Sequence, residues 1–121
     1  MSGKKVLLID DERDLVDLVK MRLEASQYDV LTAFDGVEGV AMAQTNQPNL
    51  ILLDVMMPKM DGMEALRQLK HNEKTRPIPV IMLTAKSDTP SIFRAQELGA
   101  KDYFTKPFEA DELLAFIKRY L

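Results

Sequence analysis

Cysteine is missing from the chain, and with it go disulfides, thiolate catalysis and cysteine-ligated zinc or iron–sulfur sites. One histidine, His71, is too few for a multi-histidine metal site. An excess of positive charge is also lacking. Sixteen Lys and Arg face nineteen Asp and Glu, a net charge of −3. That argues against a nucleic-acid face built on net positive charge, and no direct nucleic-acid binding is expected. Apolar runs are short. Val6–Ile9, Leu50–Leu53 and Val80–Leu83 have four residues each, against the ~20 that span a bilayer, so no membrane insertion is expected. Met1–Lys5 is basic, but only Val6–Ile9 follows it, too little for a signal-peptide apolar region. Repeats, linkers and low-complexity segments are absent. What is present is ordinary for a globular domain: 46% apolar and 29% charged residues in 121 positions. A chain of this size buries roughly two-thirds of its unfolded surface in one core. The expectation is a cytoplasmic, monodomain protein.

The three apolar runs alternate with helix-like segments. Asp14–Ser26 carries Leu15, Leu18, Val19 and Leu23 at helical spacing, interrupted only at Arg22. Asp29–Ala33 is half polar and β-branched, as in a strand. Asp35-Gly36-Val37-Glu38 and Asp61-Gly62-Met63-Glu64 share the D-x-x-E form of a helix start. Pro48 closes the first of these helices, and Pro77 and Pro79 flank the entry to Val80–Leu83. Thr89 before Pro90 reads as an N-cap followed by a first-turn proline. Gly99 suits a helix end. Asp102–Thr105 reads as a short strand, and Leu113, Phe116, Ile117 and Tyr120 stripe a last helix. Five βα units predict an α/β fold with a doubly wound parallel sheet. The unbroken apolar strands belong in the centre and the two polar ones at the edges. The order 2-1-3-4-5 satisfies this, and it is the flavodoxin-like one.

In such sheets ligands bind beyond the carboxyl ends of the strands, here at the switch between strands 1 and 3. Strand 1 leads into Asp10-Asp11-Glu12, strand 3 ends in Asp54, strand 4 ends in Thr84, and Lys106 follows strand 5. Each has a bland reading alone: acids complement a helix N-terminus, Thr84 closes a strand, Lys106 is solvated. Their joint placement does not. Carboxylates held together repel and raise each other's pKa, and a divalent cation relieves that. Hard oxygen ligands suit Mg²⁺. A carboxylate beside such an ion can attack phosphorus, with Mg²⁺, Lys106 and the Thr84 hydroxyl neutralising the equatorial oxygens.

Four segments resemble the response-regulator receiver domain of two-component signalling. They are Val6–Glu12, Leu53–Gly62, Leu83–Ala85 and Gly99–Phe108, in this order and at these separations. The resemblance covers essentially the whole chain and implies a single receiver domain over residues 1–121. It implies Asp54 as phosphoacceptor, fed from the phosphohistidine of a sensor histidine kinase or phosphotransfer protein. It implies Mg²⁺ held by Asp11, Asp54 and the main-chain carbonyl of Met56, with Asp10 acting through water. Lys106 would pair with the phosphoryl group, across a cis Lys106–Pro107 bond. Thr84 and Tyr103 would be the switch pair, Thr84 moving to the phosphoryl oxygen and Tyr103 turning inward. Pro58 and Gly62 would shape the loop after the acceptor. The resemblance implies a signalling module that catalyses only its own phosphorylation and dephosphorylation. A face made by the fourth helix, fifth strand and fifth helix would control a downstream effector that the sequence does not identify. A shift from roughly 1:99 to 99:1 needs ~5.5 kcal/mol, and one charge-assisted hydrogen bond gives ~1.5–3 kcal/mol. Thr84 alone is therefore too little, and a partial shift completed by a partner is expected.

The same resemblance shows departures. In receivers of winged-helix transcription factors that face pairs charges across a dimer. Lys86, Asp102 and Glu112 fit that pattern. Ser91, Lys101 and Phe116 do not. A stand-alone receiver, monomeric or dimerising on phosphorylation, is expected, with a receiver cut from a longer regulator as the alternative. Met56 and Lys86 border the path of the hydrolytic water, so slow self-dephosphorylation is expected. Kinase docking near Leu15, Leu18, Pro107 and Phe108 rests on analogy. An aspartyl-phosphate phosphatase would carry a second Asp where Met56 stands. A flavodoxin-type carrier would carry a Ser/Thr/Gly loop where Asp10-Asp11-Glu12 stands, and those acids would repel a phosphate.

Overall fold

The computed structural model describes residues 3–57, 59–85 and 88–121. Five strands alternate with five helices in chain order. They are β1 (Lys5–Ile9), α1 (Arg13–Ala25), β2 (Asp29–Ala33), α2 (Gly36–Asn46), β3 (Leu50–Asp54), α3 (Gly62–Lys70), β4 (Val80–Ala85), α4 (Thr89–Glu97), β5 (Asp102–Lys106) and α5 (Ala110–Ile117). A 3₁₀ turn, Lys118–Tyr120, follows α5. All pairings are parallel and the order is β2-β1-β3-β4-β5, as the strand polarity predicts. Residues of β1 and β3 are buried on both faces, whereas β2 and β5 are only partly covered.

Strand alternation sorts the core into two layers. Leu7, Ile9, Ile51, Leu53, Val80 and Met82 pack with Val40, Ala43, Leu66, Leu69 and Ala95 of α2, α3 and α4. Val6, Leu8, Leu50, Leu52, Ile81 and Leu83 pack with Val16, Val19, Leu23, Leu113 and Ile117 of α1 and α5. The parity continues past the apolar run. Asp54 and Asp10 follow the residues that face α1 and α5, and so does Lys106 after Phe104. Thr84 has the opposite parity.

Three sequence expectations are corrected. The buried stripe of α1 is Val16, Val19 and Leu23, while Leu18 is 48% exposed and Leu15 only partly covered. Arg22 does not break the stripe, because it points to solvent and pairs with Asp111 of α5. The N-cap of α4 is Asp88, not Thr89, since its carboxylate accepts the Ser91 N–H at 3.3 Å. β4 and β5 each run one residue beyond the expected ends, through an Ala85–Lys106 pairing. The D-x-x-E starts hold. Asp35 accepts the Glu38 N–H at 2.8 Å, and Asp61 accepts the Glu64 N–H at 2.9 Å. Pro58 and Lys86, to which the sequence reading gave roles, lie outside the described residues.

Gly62 closes the loop after β3 onto the strand it leaves. Its N–H donates to Val55 O at 2.9 Å. A Cβ there would stand 2.1 Å from the Asp54 carbonyl oxygen and 2.8 Å from Val55 Cα, both backbone atoms that cannot step aside. Gly62→Ala is therefore expected to cost about 1–3 kcal/mol of stability, the ordinary range for overpacking. A urea titration reads this as a lower midpoint at unchanged slope. An unchanged midpoint contradicts the close approach.

Candidate phosphoacceptor site

The three chain segments leaving β1, β3 and β5 meet at one edge of the sheet. Asp54 is the last residue of β3 and is 5% exposed. Asp10 directly follows β1, is fully buried, and is fixed by its own N–H donating to Ala33 O at 3.0 Å. Its Oδ1 accepts the Glu12 N–H at 2.9 Å. Its Oδ2 lies 2.8 Å from the Lys106 ammonium but lacks hydrogen-bond geometry, so among the described residues this buried oxygen has no hydrogen bond. Lys106 reaches Glu12 Oε1 at 2.7 Å and Asp54 Oδ1 at 3.4 Å. The bond from Lys106 to Pro107 is cis, as expected.

Burial and charge work against each other here. Burial, and then the neighbouring Asp10, push the Asp54 carboxyl up to about 7, although Lys106 and the Met56 N–H pull it down. Burial also raises Asp10, opposed by Lys106 and by the Glu12 N–H. Burial disfavours the Lys106 charge, but the carboxylates of Asp10, Glu12 and Asp54 outweigh it and raise its pKa. One ammonium thus faces three carboxyl groups, and the site is short of positive charge.

Carboxylate oxygens of Asp10, Glu12 and Asp54 all lie within 4.8 Å of one another. Together with the unbonded, buried Asp10 Oδ2, this hard-oxygen set fits a small divalent cation. The structure does not bring Asp11 into this group, and its side chain is exposed. Glu12, grouped with the acids by sequence but given no role, takes that place. No sequence signal set Glu12 apart: only the structure places it at the N-cap of α1, from which its carboxylate reaches Lys106. Met56 stands open, 73% exposed. Thr84 is buried, and among the described residues its hydroxyl makes only a 3.5 Å contact to Ala85 O. Tyr103 lies on β5 and is 37% exposed.

Residues 6–118 match the family described as the response regulator receiver domain. Over 119 residues the chain is 47% identical to the alkaline phosphatase synthesis transcriptional regulatory protein PhoP of Bacillus subtilis, covering 98% of this chain and 49% of that protein. It is 44% identical to the DNA-binding dual master transcriptional regulator RpaA of Synechocystis, covering 97% of this chain and 48% of that protein. The chain thus spans about half the length of these curated relatives. Among solved structures, the chemotaxis response regulator CheY4 of Vibrio cholerae superposes with a TM-score of 0.93 at 32% identity, over 99% of this chain and all of that one. The receiver domain of the Pseudomonas aeruginosa sensor histidine kinase PA1611 gives 0.89 at 29% identity, over 98% of each chain, and holds a magnesium ion in its active-site cleft.

The raised Asp54 pKa sets a pH dependence. Between its ordinary 3.8 and about 7 the folded chain keeps a proton that the unfolded chain has released. Stability from this group therefore falls as pH rises through that window. In chelator, Asp54→Asn is expected to be more stable than the wild type at pH 8, with the gap closing toward pH 4. Thermal unfolding across pH checks this, and a gap independent of pH contradicts it.

Proposed function

The chain belongs to the response-regulator receiver domains of two-component systems, and from that premise we propose that Asp54 is the residue that takes the phosphoryl group. The observation that carries the reading is the buried Asp54 carboxyl sharing the Lys106 ammonium with the buried Asp10. In the transfer, an Asp54 oxygen attacks the phosphorus of a phosphohistidine in a partner histidine kinase or phosphotransfer protein. The P–O bond forms as the P–N bond breaks, and the leaving nitrogen keeps the electron pair.

Each neighbour has a task in this step. Lys106, with its raised pKa, stays charged at working pH and offers its ammonium to a phosphoryl oxygen. Mg²⁺ would neutralise charge on acceptor and donor, and the residues that would hold it are Asp54 with Asp10, joined by the Met56 carbonyl and by Asp11 once its exposed side chain turns in. Thr84 would move its weakly held hydroxyl to the new anion, and Tyr103, now outside, would turn into the space that opens. The chemistry is confined to the chain's own acyl phosphate, with no external metabolite turned over. Met56, where a phosphatase of the aspartyl type would need a second acid, supports this.

The surface of α4, β5 and α5 would carry the result to an effector. Phe93 of α4 and Tyr103 of β5 are both exposed there. Asp102 does not face outward unengaged: it accepts the Tyr120 hydroxyl at 2.5 Å, and Phe104, Phe116 and Tyr120 stack in series. A second reading is favoured by the relatives of about twice this length. In it this domain is the phosphate-sensing half of a transcriptional regulator, and DNA contact belongs to the other half. The net charge of −3 is in keeping with DNA being read elsewhere than on this domain.

Incubation with Mg²⁺ and acetyl phosphate, read by intact mass, is expected to add one phosphoryl group to the wild type and none to Asp54→Asn. Uptake by the Asn variant contradicts the assignment. Met56→Asn is expected to lose the phosphoryl group faster, because a short amide admits water where a thioether shields. An equal decay rate removes the shielding role.

A further inference from the structure

The acid two residues past the buried Asp10 caps its helix differently from the three capping aspartates. Asp35, Asp61 and Asp88 each accept an N–H of their own helix. Glu12 occupies the N-cap of α1 and, among the described residues, makes no such bond. Its Oε1 turns to Lys106, 94 residues away in sequence, at 2.7 Å. Its own N–H is meanwhile held by Asp10. So the backbone of Glu12 is pinned to one side of the site while its carboxylate holds the ammonium.

Lys106 has three carboxylate neighbours of two kinds. Asp10 and Asp54 are buried, and their oxygens are the ones that transfer chemistry calls upon. Glu12 is at the rim, its side chain 60% exposed. Once the oxygens of Asp10 and Asp54 are committed elsewhere, Glu12 is the partner that Lys106 keeps. The ammonium then sits beside the acceptor but on the α1 side of it. We infer that Glu12 is a positioning residue that parks Lys106 while Asp54 is unphosphorylated, and that an arriving phosphoryl group must draw Lys106 away from it. The inference rests on the assignment of Asp54 as acceptor and adds a residue that opposes the transfer. Exposure limits its strength: an ion pair at this depth alters an equilibrium by roughly twofold to fivefold, the span of exposed pairs.

Glu12→Gln keeps the shape and removes the charge, and a double-mutant cycle with Lys106→Met tests the route of the effect. At saturating Mg²⁺, Glu12→Gln is expected to speed uptake from acetyl phosphate about twofold to fivefold in the wild-type background. In the Lys106→Met background it is expected to change nothing. Equal acceleration in both backgrounds means only relief of repulsion toward the anionic donor and overturns the inference, as does no acceleration in either. A second readout does not use the reaction. In the Mg²⁺-loaded, unphosphorylated protein, the Lys106 ¹⁵Nζ ammonium signal should be protected from water exchange, and lost to exchange in Glu12→Gln. A signal unaltered by the substitution overturns the parking role, even if the kinetics change. Wild type that takes up no phosphate, with a protected ammonium signal lost in Glu12→Gln, overturns the acceptor assignment and leaves the ion pair standing.

Discussion

Two carboxyl groups are kept out of water at the edge of the sheet with one ammonium between them. Asp10 and Asp54 are buried because they continue fully apolar strands, and Lys106 alone of the described cations reaches both. Burial costs the charged forms more than one Lys returns, as the upward shift of Asp54 shows. The fold holds this arrangement under strain of charge. That imbalance is what a small cation or a transferred phosphoryl group with its metal can relieve.

The scaffold explains why the groups meet. Parallel strands all present their carboxyl ends at one edge, so residues far apart in sequence become neighbours by topology alone. Strand parity then decides which of them share a face. Asp10, Asp54 and Lys106 carry the parity of the layer beneath α1 and α5, and the N-terminus of α1 brings Glu12 over them. Thr84 and Tyr103 stand apart from that cluster. Thr84 lies on β4 with the opposite parity, and Tyr103 lies on β5 three residues before Lys106.

The order of strands was legible because polarity alone separates the buried runs Leu50–Leu53 and Val80–Leu83 from the mixed Asp29–Ala33 and Asp102–Thr105. The caps at Asp35 and Asp61 were legible because their spacing is local. Asp88 was not: Thr89 before Pro90 is an equally good local signal, and only the side-chain bond to Ser91 decides. The buried stripe of α1 was misread by one position, since Leu15 and Val16 fit helical spacing equally and only packing on the sheet chooses Val16. Convergence of the acids with Lys106 followed from topology. Which of Asp10, Asp11 and Glu12 turn inward did not, because neighbouring residues in an irregular turn point in directions that depend on its hydrogen bonds, here Glu12 N–H to Asp10.

The central claim is chemical: one carboxylate at the end of β3 becomes a mixed anhydride with phosphate. Borohydride reduction of the freshly phosphorylated protein reads this directly, because it converts an aspartyl acyl phosphate to homoserine at the residue that carried it. Peptide sequencing is predicted to find homoserine at position 54 and at no other acid. Homoserine at Asp10 or Asp11, or none at all after verified phosphate uptake, would contradict the account.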